Sequence, residues 1–431
     1  MRLPLAIGLV LLGHTFSAQT PVDEAKQQLR LNTLQTVWQR VQDHYYDPTF
    51  NGVNWAEVKE RYTLKLTPEL SDSEYYDLLN DMLKELKRSH FGVIPPKAYA
   101  AEEEAAKRGT GANAGMTLQI VEGLPTITRI EAGSAAQRAN LKVGFLVEAI
   151  DKTNLAETWK KIQERPGVID RKGFLFTRVA AAMTSGKPGQ IVKIVCVDGN
   201  NKRKTVPVKL TKERGMPMKF GELPTMFGYV ESRRLEANIG YVSLSVFMMP
   251  LLDQVKRAIA SFHDCKALII DLRQNPGGVG GMAIPIAGVI LDRQVNLGTM
   301  KMRVGETNFV VYPQPNAFKG PVAILIDESS ASTSEIFAAG LQECGRAVVV
   351  GQQSAGAALP SMVEKLPDGA RLQYAFADFK TPKGTLIEGR GVIPDYPVRL
   401  TRKALLSQKD PVIQKAVSVL SKMATNKGKR P

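Results

Sequence analysis

Residues 324–337 read Ile324-Leu-Ile-Asp327-Glu-Ser-Ser330-Ala-Ser332-Thr-Ser334-Glu335-Ile-Phe337. An apolar run stops at Ile326, a cluster of serines follows, and a helical pattern begins at once. A strand–turn–helix junction of this kind places a hydroxyl beside the unpaired N–H groups and the positive end of a helix. A nucleophile benefits there, because the oxyanion it creates needs fixed donors. The same string also reads as a run of ordinary N-caps, a common job for Ser and Thr.

The surroundings of that junction repeat its pattern. From Met216 onward, apolar runs alternate with helical ones: Ile239–Leu244, Ala267–Leu272, Val322–Ile326 and Ala347–Val350 as strands, with Leu251–Phe262, Ala283–Leu291 and Thr333–Glu343 as helices. Near-continuous apolar strands separated by helices predict a sheet covered on both faces and joined by right-handed crossovers. Leu405 to Met423 is expected to close the domain as a helix.

Upstream the character changes. Residues 112–212 hold short β-like runs, and between them lies Ala132-Gly-Ser-Ala-Ala-Gln-Arg-Ala-Asn-Leu-Lys-Val-Gly144. This resembles the Gly-Ser-Pro-Ala…Ala-Gly-Leu…Gly-Asp string of PDZ domains. The resemblance implies a module that takes a chain's C-terminus as an added strand and captures its carboxylate on backbone N–H groups, here at Gly115, Met116 and Thr117. Ala135, Asn140 and Phe145 depart from that string. A small β module that merely spaces two lobes is the alternative.

Before residue 111 the pattern is helical. Leu34, Val37, Trp38, Val41 and Tyr45 fall on one stripe, and Ser71-Asp-Ser-Glu74 forms a capping box ahead of a second. The chain opens with Met1-Arg2, an apolar stretch Leu3–Leu12 and then Ser17-Ala18, the layout of a secretory signal peptide cleaved near Ala18. The expected organisation is a signal peptide at 1–18, an N-terminal helical region at 24–111, a PDZ-like domain at 112–212, a core at 216–400, and a C-terminal helix with a basic tail at 401–431. Export to a periplasmic or extracellular space, with no stable membrane anchor, follows.

The 431 residues carry a net charge of +15, spread along the chain apart from the Lys427–Arg430 tail. That reads as surface solvation, with no nucleic-acid partner expected. The three cysteines, Cys196, Cys265 and Cys344, are too few and odd in number for a disulfide framework. No cysteine or histidine pair has metal-ligand spacing, so neither a metal nor another cofactor is expected.

A serine nucleophile needs a base that titrates near neutrality and a partner that orients the base. Beyond Ala18 the histidines are His44, His90 and His263. Asp271-Leu-Arg-Gln-Asn-Pro-Gly277-Gly278 follows an apolar strand, and its glycines allow backbone N–H groups to approach a ligand. Glu388 sits among glycines in Thr385-Leu-Ile-Glu388-Gly-Arg-Gly-Val-Ile-Pro-Asp395. Each string has an ordinary reading as a turn, a cap or a surface charge.

Together they resemble the carboxy-terminal processing (tail-specific) serine peptidases of the tricorn-core type, over nearly the whole chain. Val37-Trp38…Tyr45-Tyr-Asp-Pro48…Asn54-Trp55 is similar to that family's N-terminal region, Ser89-His90 to its Ser-His pair, 271–278 to its Leu-Arg-x-Asn-x-Gly-Gly loop, 330–335 to its nucleophile string, and 389–395 to its closing motif. The resemblance implies a mixed α/β fold with a crotonase/Clp-protease-like spiral of strand-strand-helix units. It implies Ser332 as nucleophile, His90 as base, and Glu388 as its support through Ser89 or water. It implies an oxyanion hole from the N–H of Thr333 and that of Gly277 or Gly278.

One departure bears on mechanism. Members with a Ser/Lys dyad carry a lysine in a Gly-Lys-Gly string, and here Ala357 stands at that place in Gly351-Gln-Gln-Ser-Ala-Gly-Ala-Ala358. A Ser/Lys mechanism then requires Lys380 or Lys383 to fold back. The expected activity is an exported serine endopeptidase acting on unstructured or C-terminally recognised polypeptides. A catalytically silent peptide-binding protein and a crotonase-like acyl-thioester hydrolase are the competitors.

Overall fold

The computed structural model describes residues 21–107, 111–164, 172–407 and 409–427. The apolar leader at 1–18 and the end of the basic tail lie outside the described residues.

The central sheet is built from the most apolar segments. Its strand order is Val230–Leu235, Ile239–Leu244, Ala267–Asp271, Val322–Ile326, Ala347–Gly351 and Tyr396–Pro397. The first pair is antiparallel and the rest are parallel. Ile239–Leu244, Ala267–Asp271 and Val322–Ile326 are buried at every residue, as strands covered on both faces must be. Alternation splits their side chains: Leu268, Ile270, Ile324 and Ile326 pack with Val255, Ile286 and Phe337 of the helices on one face. Ile269, Ala323 and Leu325 pack on Val412, Ala416 and Leu420 on the other.

Two expected helices are shorter or broken. The helix predicted to reach Leu291 ends at Gly288. The predicted Leu405–Met423 helix is two, Arg402–Leu406 and Pro411–Lys427. Pro411 lacks an N–H and so begins the second helix rather than continuing the first. Asp410 caps it by accepting the Val412 and Ile413 N–H groups at 3.0 and 3.1 Å.

The helices Pro21–His44, Trp55–Leu64 and Asp72–Lys84 bury the expected stripes. Leu34, Val37, Val41 and Tyr45 meet Trp55, Leu79 and Met82 in one apolar cluster. Leu372 and Tyr374 of the strand Arg371–Ala375 complete that cluster, and Gly92–Ile94 pairs antiparallel with the same strand. The helical front is thereby fused to the rear of the molecule, and this pairing delivers residues 89–90 to it.

The module at 112–212 folds around an antiparallel sheet in the order Met116–Val121, Leu124–Ile130, Leu146–Ile150, Ile191–Val197, Arg203–Lys209. It has its own core, including Leu118, Ile127, Val147, Phe176 and Ile194. Its helix Lys172–Met183 lies against the strand Met116–Val121.

Candidate active site

The turn after Val322–Ile326 is tied down by its own polar groups. Asp327 accepts the Ser329 and Gln274 N–H groups, each at 3.0 Å, and the Ser330 hydroxyl donates to the Leu272 carbonyl oxygen at 2.8 Å. Ser332 then adopts φ 56°, ψ −119° at the start of the Thr333–Glu343 helix. A non-glycine residue held there costs about 1–3 kcal/mol. Glu335 closes the first turn by giving its N–H to the Ser332 carbonyl oxygen at 2.8 Å and taking the Ser332 N–H on its carboxylate at 3.0 Å. An ordinary N-cap serine has an extended backbone; Ser332 instead has positive φ.

Gly277 and Gly278 lie against this elbow with φ 95° and 134°. A Cβ on Gly277 would sit 2.6 Å from the Ser332 Cβ and 2.8 Å from the Thr333 nitrogen, so only glycine fits. A Cβ on Gly278 would collide with the Phe247 carbonyl oxygen. The Gly277 N–H is occupied, donating to the Asn275 side-chain oxygen at 2.9 Å. Among the described residues the Gly278 and Thr333 N–H groups make no hydrogen bond. The open donor of the glycine pair is therefore that of Gly278. Asn275 is wholly buried and its amide also donates to the Leu244 carbonyl oxygen at 2.6 Å, which fixes the loop.

The imidazole comes from the front of the molecule. The Asp72–Lys84 helix runs out through Lys87 and His90, both at positive φ. Ser89 is buried; its N–H and hydroxyl donate to the two oxygens of Glu388, each at 2.8 Å. The Ser89 oxygen lies 2.7 Å from His90 Nδ1. A carboxylate only accepts, so the single Ser89 proton points at Glu388. His90 Nδ1 must then be the donor to Ser89, which leaves the lone pair on Nε2. Glu388 accepts both bonds from Ser89.

Residues 357 and 358 join the two halves. The Ala357 carbonyl oxygen accepts the Ser332 N–H at 2.8 Å, and the Ala358 N–H donates to Glu388 at 3.1 Å. Ser89, His90 and Glu388 form one cluster; Ser332, Thr333, Gly277 and Gly278 form the other; backbone links them. The Ala357 methyl packs with Ala331, Ala355 and Phe174. Lys380 and Lys383 are exposed.

Gly115, Met116 and Thr117 stand at the start of the Met116–Val121 strand. Gly115 has φ 65° and touches Ser134 where a Cβ would stand. Met116 and Thr117 pair with Ile130 and Arg129. The far edge of their strand is covered: the Thr177 hydroxyl of the Lys172–Met183 helix donates to the Leu118 carbonyl oxygen at 3.0 Å. The strand reaches the core through Gln119, whose amide donates to Asp327 at 3.2 Å. A cavity of about 310 Å³ opens beside this contact, lined by Gln119, Arg129, Arg273, Gln274, Asp327 and Asp410 among others.

Sequence reasoning missed Glu335. It is wholly buried, and burial pushes its carboxyl up to about 7. Its only trace in the sequence is the Ser-x-x-Glu spacing of a capping box, which marks any helix start. Among the described residues no group of three or more His, Cys, Asp or Glu side chains could hold a metal ion, and no helix is long and apolar enough to cross a membrane.

Residues 238–398 match the peptidase family S41 model, and residues 29–84 match the tricorn protease C1 domain. A carboxyl-terminal-processing protease of Synechocystis sp. is 27% identical over 90% of this chain and 84% of that one. The chloroplastic carboxyl-terminal-processing peptidase 2 of Arabidopsis thaliana is 28% identical over 84% of this chain and 67% of its own. Among solved structures, the photosystem II D1 C-terminal processing protease aligns with a TM-score of 0.61 at 21% identity, covering 89% of this chain and 96% of that one. Mature CPAF aligns at 0.64 and 15% identity over 94% and 99%. Tricorn protease aligns at 0.53 and 16% identity, over 93% of this chain and 37% of its own. These structures share the mixed α/β fold.

Proposed function

We propose that the chain, which matches the peptidase family S41 model over residues 238–398 and is similar to carboxyl-terminal-processing proteases over most of its length, is a serine peptidase that hydrolyses polypeptides with Ser332 as nucleophile and His90 as base. The observation that carries this reading is the Glu388–Ser89–His90 chain of hydrogen bonds, anchored through Ala358 to the segment that holds the Ser332 backbone. A methyl group at 357 accepts no proton, which leaves the imidazole as the base.

The steps follow from the atoms. Ser332 Oγ attacks the scissile carbonyl carbon while His90 Nε2 takes its proton. The oxyanion is received by the N–H groups of Gly278 and Thr333, each such donor being worth about 3 kcal/mol in the transition state. The Nδ1–H of the imidazolium stays on Ser89, whose own proton stays on Glu388, so the carboxylate charge supports the cation through a hydroxyl. Nε2–H then protonates the leaving amine. Water repeats the sequence on the acyl-enzyme and restores Ser332. The proton transfer requires Ser332 Oγ and His90 Nε2 to lie within hydrogen-bonding reach in the substrate complex.

The 112–212 module is read as the element that engages C-terminal segments and gates the site. Its edge strand is closed by Thr177, and the same strand touches the 274–278 loop through Gln119 and Asp327. A peptide that displaced the helix from that edge would move the residue that holds Gln274. Export, read from the Leu3–Leu12 stretch, fits a peptidase that works on unfolded chains outside the cytoplasm.

Ser332→Ala and His90→Ala test the assignment on unfolded casein, together with labelling by a serine-directed phosphonate. Loss of hydrolysis in both, with labelling confined to Ser332, supports it. Unchanged hydrolysis in Ser332→Ala rules it out. A folded native protein that neither cleaves nor labels favours the silent peptide-binding alternative.

A further inference from the structure

Glu335 has no part in the steps above, yet its carboxylate accepts four hydrogen bonds at the nucleophile elbow. One oxygen takes the Ser354 hydroxyl at 2.6 Å and the Gly356 N–H at 2.7 Å; the other takes the Ala357 N–H at 2.9 Å and the Ser332 N–H at 3.0 Å. A helix cap needs only the last of these and does not need burial. The other three fasten the 354–357 segment. That segment turns the Ala357 carbonyl onto Ser332 and the Ala358 N–H onto Glu388. Glu335 therefore stands where the strained serine and the arm that orients His90 are tied together. A buried carboxylate is held only by such donors.

We propose that Glu335 is a positioning residue: ionised, it clamps Ser332 at positive φ and sets the register of residues 354–358, and its protonation releases both, so the site must lose a second proton before it works. This inference rests on Ser332 acting as nucleophile. A protonated carboxyl presents one hydroxyl to a ring of donors and loses an acceptor, so the clamp loosens. Burial raises this carboxyl while Ser354, Ala357, Gly356 and Ser332 oppose the rise. The charged groups on neighbouring elements are engaged elsewhere. Glu388 is bonded to Ser89 and Ala358, Arg390 is exposed, and Asp327 holds Gln274 and Ser329. Arg273 pairs with Asp271 and Asp410. His90 is the other group that must be unprotonated, since it takes the Ser332 proton.

The test is the pH dependence of kcat/KM and of phosphonate labelling at Ser332, over about pH 5 to 8.5. The full chain is compared with Glu335→Gln and Ser354→Ala, with KM and kcat separated. The native acid limb is expected to approach a hundredfold per pH unit, the slope for two required ionisations. Glu335→Gln is expected to keep a tenfold-per-unit limb, belonging to His90. Its plateau falls about 10- to 100-fold, mainly in kcat. Ser354→Ala removes a donor that favours the charged carboxyl, so the steep part of its limb moves up by about one pH unit. A native limb of one proton, unaltered in Glu335→Gln, overturns the proposal, as does a Glu335→Gln plateau within about twofold of the native value. If Glu335→Gln does not fold, the other two profiles decide, and an unmoved Ser354→Ala limb overturns it. Hydrolysis that survives Ser332→Ala removes the nucleophile assignment itself. A strict requirement for Ser332 alongside a one-proton limb removes only the role of Glu335.

Discussion

The Ala357 carbonyl oxygen accepts the Ser332 N–H at 2.8 Å. Residue 357 contributes here through its backbone. It helps hold the serine in a strained conformation, while the next residue holds Glu388. A lysine side chain at 357 would have to enter the space now filled by Ala331, Ala355 and Phe174. The Ser332 backbone and the Glu388–Ser89–His90 arm thus rest on the same segment of chain.

Ser89 holds His90 Nδ1 at 2.7 Å. Ser89→Ala is expected to lower kcat about 10- to 100-fold with little change in KM, since the ring loses its orientation rather than its basicity. Steady-state kinetics on a fluorogenic peptide check this, and an unchanged kcat removes Ser89 from the relay.

Asn275 holds the loop that presents Gly278. Asn275→Ala strips the partners from the Gly277 N–H and the Leu244 carbonyl, both satisfied by that one side chain. Stability should fall by about 1–3 kcal/mol, and kcat should fall further than KM rises. Urea unfolding beside single-turnover kinetics separates the two effects.

Thr177 closes the edge of the Met116–Val121 strand. Thr177→Val keeps the shape and removes the donor to Leu118, leaving that carbonyl open to an added strand. Peptides with a free C-terminal carboxylate are expected to bind about fivefold tighter, about 1 kcal/mol. Fluorescence anisotropy measures it, with an amidated peptide as control. Equal binding of free and amidated peptides counts against carboxylate capture at Gly115, Met116 and Thr117.

Glu328 gives a pH effect of definite sign. Burial, with the charge of Asp327 beside it, pushes its carboxyl up to about 7, and one of its oxygens is buried without a partner. Its folded-state value lies above the ordinary one of about 4.3. The stability this group contributes is therefore full below about pH 4.3 and is lost as pH rises through about 7. Glu328→Gln should stabilise the protein at pH 8 by on the order of 2 kcal/mol, and by little at pH 5. Urea unfolding at the two pH values decides it; equal effects at both refute the account.

Much of the scaffold was legible because local periodicity records local burial. The runs at 239–244, 267–271 and 322–326 are apolar at nearly every residue, and a strand covered on both faces has no other composition. The Ser71–Glu74 box and the basic close of its helix mark that element's ends in the same way. Pro411 was the exception: an apolar stripe runs on either side of it, and the break shows only if the missing N–H is weighed above the stripe.

What the chain alone determined, then, is where strands and helices begin, and that a serine, a histidine and a glutamate stand at turns able to present them. Tertiary structure decided the rest. It joined Ser89 to Glu388 across 299 positions, gave the open donor to Gly278 rather than Gly277, buried Glu335 beneath the serine, and covered the Leu118 edge with Thr177. The physical reason is that a hydrogen bond between distant residues depends on how sheets and helices stack, while composition and spacing report only each residue's own turn of chain.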